Sequence, residues 1–141
     1  MDHVVYLDHK AKELDLLEKG VKTMIIRGAM GRKIPYRKVE KGDWLYFIEN
    51  MGDGLIKAVA EVSDVFNSEQ MTREESVKFV DENQKLLRLD KKLYSRFAGK
   101  RYIVLIRVKN FKIIDSFRID RSKYGNMDDW LPVGEIQSVK I

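Results

Sequence analysis

The stretch "EKGVKTMIIRGAMGRKIPYRKVEKGDWLYF", residues 18–47, places seven basic residues between Lys22 and Lys41 and one acid, Glu40, among them. Its apolar pattern decides the kind of structure. "KTMIIR" (22–27) is short and β-branched, which reads as a strand, and Gly20 before it is a natural helix stop. "GAMGRKIPY" (28–36) is a loop, because Gly28 and Gly31 permit unusual φ and Pro35 fixes its own. "WLYFIE" (44–49) is a second strand, with Trp44 and Tyr46 on one face and Leu45 and Phe47 on the other. Two apolar strands thus flank a dense basic loop.

Outward from this stretch the elements stay short. "VVYL" (4–7) reads as a strand, and Asp8 is placed to N-cap a helix with Ala11, Leu14 and Leu17 at helical spacing. "LIKAVAEVSDVF" (55–66) is a strand joined to 44–49 across the hairpin signal "NMGDG". Thr72 and Glu75 form a capping box that opens a helix to about Leu87. A shorter helix follows from Asp90, turning Leu93, Tyr94 and Phe97 inward and ending at Gly99. "RYIVLIRVKNF" (101–111), "KIIDSFRID" (112–120) and "IQSVKI" (136–141) read as three more strands. The order β-α-β-β-β-α-α-β-β-β lacks the alternation of a doubly wound sheet and implies an α+β fold. The expectation is a small, mixed, curved sheet closing into a barrel with flanking helices. Residues 1–141 form one domain, since this length suffices for a core without staples.

Composition removes several function classes. There is no cysteine, hence no disulfide, thiol nucleophile or thiolate metal site. His3 and His9 are the only histidines and lack metal-ligand spacing, so no metal is expected. "GAMGRK" lacks the spacing and the Ser/Thr of a P-loop. No cofactor is implied. Apolar runs such as "YIVLI" (102–106) are too short for a membrane, and "MDHVVYLDHK" has no basic leader region; a cytoplasmic location is expected.

Charge is unevenly spread. Residues 20–41 carry a net +6 and residues 88–124 a net +9, whereas residues 61–84 between them carry −5. Such blocks attract a polyanion if the basic pieces share a face. A robust surface of ion-pair networks explains the same numbers.

Gly20, Lys22 and Arg27 match the G-x-K-x-x-x-x-R signature of ASCH domains, a branch of the PUA-like barrels. "KGDWLYF" (41–47) and "AVAEVSDVF" (58–66) resemble the strands that follow it in that family. The combination of "GRKIPY" (31–36), "AGKRYIVLI" (98–106) and "YGNMDDWLPV" (124–133) is similar to an uncharacterised archaeal PUA-like family. The resemblance implies a PUA-like, ASCH-type β-barrel and, as partner, RNA or a modified nucleotide. Some ASCH members are ribonucleases or amidohydrolases acting on acetylated cytidine nucleosides. That amidohydrolase activity goes with a Lys and a Thr three residues later. Here Lys22 stands at the first position but Ile25 at the second, and isoleucine has no hydroxyl to act as a nucleophile.

The candidate binding residues are Lys22, Arg27, Arg32, Lys33, Tyr36, Arg37, Lys38 and Trp44. Lys22 at the helix-to-strand corner can bind a phosphate, polarise a carbonyl, or offset a helix dipole. Arg27 can fork onto a phosphate or pair with an internal acid such as Glu61. The loop cations can track a backbone while Tyr36 stacks a base, or Tyr36 can tuck into the core. Trp44 can wall a base pocket or pack. Trp130 reads as a lid on the core, and Asp128 and Asp129 as turn caps. If the protein is an enzyme, Lys22 with Glu61 or Glu69 would carry the chemistry. The reading favours a binding module, with hydrolysis as the alternative.

Overall fold

A computed structural model describes residues 1–141. Its sheet has six strands: β1 (Asp2–Leu7), β2 (Met24–Ala29), β3 (Trp44–Glu49), β4 (Leu55–Asn67), β5 (Tyr102–Arg118) and β6 (Trp130–Gly134). The helices are α1 (Glu13–Glu18), α2 (Arg73–Leu87) and α3 (Lys91–Phe97), with a 3₁₀ turn at Ile136–Ser138. Strand order is β2-β5-β4-β3-β1-β6. Only β1 and β3 run parallel; every other pair is antiparallel.

The sheet is strongly curled, and one residue demonstrates it. Arg27 on the edge strand β2 donates from Nη2 to the Tyr6 carbonyl of β1 at 2.5 Å. In a flat sheet those strands, four places apart, would lie about 19 Å from each other. The expected mixed, curved α+β sheet is therefore present. Its ladder stops between β2 and β6, and the gap is spanned by side chains, making a half-barrel.

Strand alternation sorts the side chains into three apolar clusters. Val5, Leu7, Ile25, Leu45, Phe47 and Ala60 fill the concave interior together with Leu14 and Leu17 of α1. Met24 and Ile26 face the opposite way, onto Val80 and Leu87 of α2 and Leu93 and Phe97 of α3. Val4, Ile48 and Leu131 pack beneath Ile136 and Val139 of the C-terminal turn. Ile25 is thus a core residue of the concave face.

Thr72 and Glu75 form the expected capping box, and Asp90 caps α3 by accepting from the Leu93 amide. Gly20 ends the first helical turn at φ +71°, a conformation that glycine adopts without steric cost. Asp8 caps an intervening turn, accepting from the Ala11 amide, and α1 begins only at Glu13.

Three elements differ from the sequence reading. The two strands expected over 101–120 are one 17-residue strand, β5. Its pairing with β4 shifts register three times, and Asn110 takes φ 54°. Such bulges let a strand bend without ending. The strand expected at 136–141 is the 3₁₀ turn, with a lone bridge between Ile119 and Lys140. β6 instead comes from "WLPVG" (130–134), whose Pro132 is tolerated because β6 is an edge strand.

Candidate functional site

A deep hollow opens where the ends of β1 and β3 meet α1, α3 and the 121–129 loop. It is a cleft of about 510 Å³, within the range of small-molecule sites. Asp8 and Glu13 form one wall, Glu49 at the end of β3 another, and Arg27, Arg96 and Asp129 the side facing them.

Arg27 is buried and held on several sides. Its guanidinium donates to the carbonyls of Ile26 (2.8 Å) and Tyr6, and its Nε lies 3.3 Å from Asp129 Oδ2. Its partner acid is therefore Asp129, not Glu61. Arg96 reaches the same Asp129 oxygen at 3.2 Å and is half exposed. Arg121 orders the loop below by donating to the Tyr6 hydroxyl (2.7 Å) and to the Gly125 carbonyl. One arginine from the first basic segment and two from the second thus meet in one cleft.

Lys22 does not line this cleft. It is the largest fully buried side chain of the protein, 1% exposed. Its Nζ donates to the Leu87 carbonyl at 2.5 Å and lies 3.3 Å from Glu13 Oε2. Burial pushes its pKa below the ordinary lysine value, while Glu13 pulls it back up. The side chain that reaches the cleft from this pair is Glu13, whose Oε1 accepts from the Asp8 amide at 2.8 Å. Lys22, a candidate binding residue from the sequence, is therefore not presented to the cleft: it stands behind Glu13.

The loop residues divide. Lys33 and Lys38 are exposed and border a second hollow of about 460 Å³ together with Asp129 and Trp130. A small hollow of about 40 Å³ lies between them, sharing Arg27, Arg96 and Asp129 with the cleft and Lys33 and Asp129 with the second hollow. Tyr36 is buried, and its hydroxyl donates to the Ser68 carbonyl. Arg32 lies 6.0 Å and Arg37 5.4 Å from its ring centroid. Cations and the core therefore occupy the ring that was expected to stack a base. Arg37 also stands 4.0 Å from Glu69, which is exposed at the surface.

Trp44 and Glu61 lie opposite each other in the β3–β4 ladder. They are at the start of β3, about 17 Å along the strand from the cleft at Glu49. Glu61 is engaged by Lys109 (3.9 Å) and Asn110 (3.2 Å). Neither residue is brought together with Lys22 or Arg27. Trp130 is buried, as a core lid should be, and Asp128 caps a turn by accepting from the Gly125 amide.

Trp130 also anchors a buried polar chain. Its Nε1 donates to His3 Nδ1 at 3.1 Å, so His3 Nε2 carries the proton and donates to Asp43 Oδ2 at 2.8 Å. Burial holds the His3 pKa below its ordinary value although Asp43 opposes this. Burial works against ionisation of Asp43, but bonds from the Glu40 amide, His3 and the N-terminal amine more than offset it and hold its carboxyl low.

Sequence reasoning missed Asp8, Glu13, Arg96 and Arg121 as cleft residues. Only the second basic block hinted at the arginines. Nothing in the spacing of Asp8 and Glu13 marks them, because the turn that joins them is irregular.

Comparison with solved structures finds the fold of this chain similar to that of the ASCH protein of Zymomonas mobilis. The chain has the ASCH fold. A crystal structure of that protein aligns at a TM-score of 0.64 and 13% identity, covering 92% of this chain and 85% of the other. A Tyr-to-Phe mutant of it aligns at 0.65 and 12%, covering 92% and 87%. Neither the known sequence families nor the curated proteins give a match. At this identity the shared property is the ASCH fold itself. No helix of the chain is long and apolar enough to cross a membrane.

Proposed function

We propose that this chain binds RNA or a nucleotide, seating a base in the cleft and directing phosphates along the basic loop. The observation that carries the reading is the adjacency of two chemically different hollows, both bordered by Asp128 and Asp129. The cleft combines carboxylates with arginines, which suits the mixed donors and acceptors of a base edge. The adjoining hollow is bordered by the exposed Lys33 and Lys38, which suits phosphate. Arg96, half exposed, lines the cleft and the small hollow beside it. The ASCH fold supports the same class of ligand.

Binding is favoured over hydrolysis because the Lys22 ammonium is sealed between Glu13 and the Leu87 carbonyl. Glu61 and Glu69, the acids that would accompany it, stand at other sites. The test is a titration of a short single-stranded RNA over a salt series. Neutralising about three or four phosphates predicts a log–log slope of about −2 to −3. The double change Lys33→Ala/Lys38→Ala should lower affinity and flatten the slope by about 1. Absent binding, or binding indifferent to salt, would remove this reading.

A further inference from the structure

The wall opposite the arginines has a property that the charge count hides. Glu13 is almost fully buried, yet it lines the cleft. One of its oxygens accepts from the Asp8 amide, and the other faces Lys22. Each carboxylate oxygen keeps room for a further hydrogen bond, and an ionised carboxylate can only accept. Lys22 is itself anchored to the last carbonyl of α2, so Glu13 is aimed by a rigid cation placed behind it. Asp8, buried beside Glu13, adds a second acceptor. This wall presents acceptors to whatever enters, and a carbonyl turned toward it would meet only like partial charge.

We infer that Glu13 selects nucleobases carrying an exocyclic amino group, and that Lys22 is the positioning residue that holds Glu13 in place. The inference rests on the proposed nucleotide-binding function and narrows its ligand. The amine of cytosine, adenine or guanine donates to Glu13. Uracil presents a carbonyl at the position of the cytosine amine and leaves the buried acceptor unmatched.

The test is a calorimetric titration of the full chain with cytidine, adenosine, guanosine and uridine monophosphates. The wild-type protein should bind at least one amino-bearing nucleotide about tenfold or more tightly than the uridine one. Glu13→Gln should abolish that preference while retaining binding through the lysines. If Glu13→Gln does not fold, the double change Glu13→Gln/Lys22→Met removes both charges together and gives the same readout. Lys22→Met alone should weaken the preference, and Lys22→Arg, which keeps a cation behind Glu13, should restore part of it. Equal affinity for the four nucleotides overturns the selectivity and leaves the wider reading standing. A preference that survives Glu13→Gln overturns the assignment to this residue. Absence of binding by all four overturns the selectivity, while the RNA titration separately decides the wider reading.

Discussion

Lys22 shows how one side chain can be legible in type and illegible in role. Its place in G-x-K-x-x-x-x-R was visible, but its ammonium turns inward to Glu13 and Leu87. Removing one partner of a buried ion pair leaves the other uncompensated. Lys22→Ala should therefore cost about 3–5 kcal/mol in urea denaturation, and Lys22→Met/Glu13→Gln should recover a large part of it. Equal losses in the two proteins would show that pairing is not what the ammonium supplies. His3 gives a second residue-scale prediction. Its folded pKa lies below the ordinary value of about 6.5, so the unfolded chain binds a proton that the folded chain refuses. Its contribution is fully present above that pH and is lost as pH falls toward the folded value. Asp43, held low, adds a loss of the same sign at more acid pH. The physical cause is burial of the ring, and a proton at Nδ1 would in addition face the Trp130 N–H. Thermal melts from pH 8 to 4 should show falling stability, with a shallower fall between pH 7 and 5 in His3→Gln.

At the scale of elements, local signals succeeded where they were self-contained. The Thr72–Glu75 box and the Asp90 cap each satisfy amides of their own helix, so neighbouring residues suffice to specify them. Thr72→Ala should cost about 1 kcal/mol, measurable as a shift in the denaturation midpoint at constant slope. Signals failed where pairing partners decided the outcome. β5 continues through Asn110 because β4 accompanies it across three register shifts, a fact about the partner strand. β6 was hidden by Pro132, which breaks an interior strand but not an edge one. The C-terminal turn was partly readable, since Ile136 and Val139 are buried with Gln137 and Ser138 exposed between them. That three-residue period suits a 3₁₀ turn better than a strand.

At the scale of the molecule, the decisive feature is the gap between β2 and the β1–β6 edge. Arg27 spans it, binding the Tyr6 carbonyl and pairing with Asp129, with the Trp130 ring 5.5 Å from its guanidinium. Arg27→Leu should destabilise by about 2–3 kcal/mol and speed hydrogen exchange at Tyr6, whose amide donates to Asp129. Unchanged exchange there would show that the half-barrel holds its shape without the clasp. The same curl brings Arg27 beside Arg96, nearly seventy positions apart in the sequence, and so joins the two basic blocks.

What the sequence by itself determined was the fold class, most element positions, the helix caps and the polarised charge. Periodicity and capping depend on near neighbours, and charge depends on composition alone. Only the tertiary structure decided which charges line the cleft. Lys22, Tyr36 and Trp44 had suitable chemistry, but the curl buried the first two and left the third at the far end of its strand. Asp8 and Glu13 carried no signal, yet the meeting of β1, β3, α1 and α3 set them on the cleft wall. Side-chain type is local, whereas exposure and aim are set by contacts between residues distant in the chain.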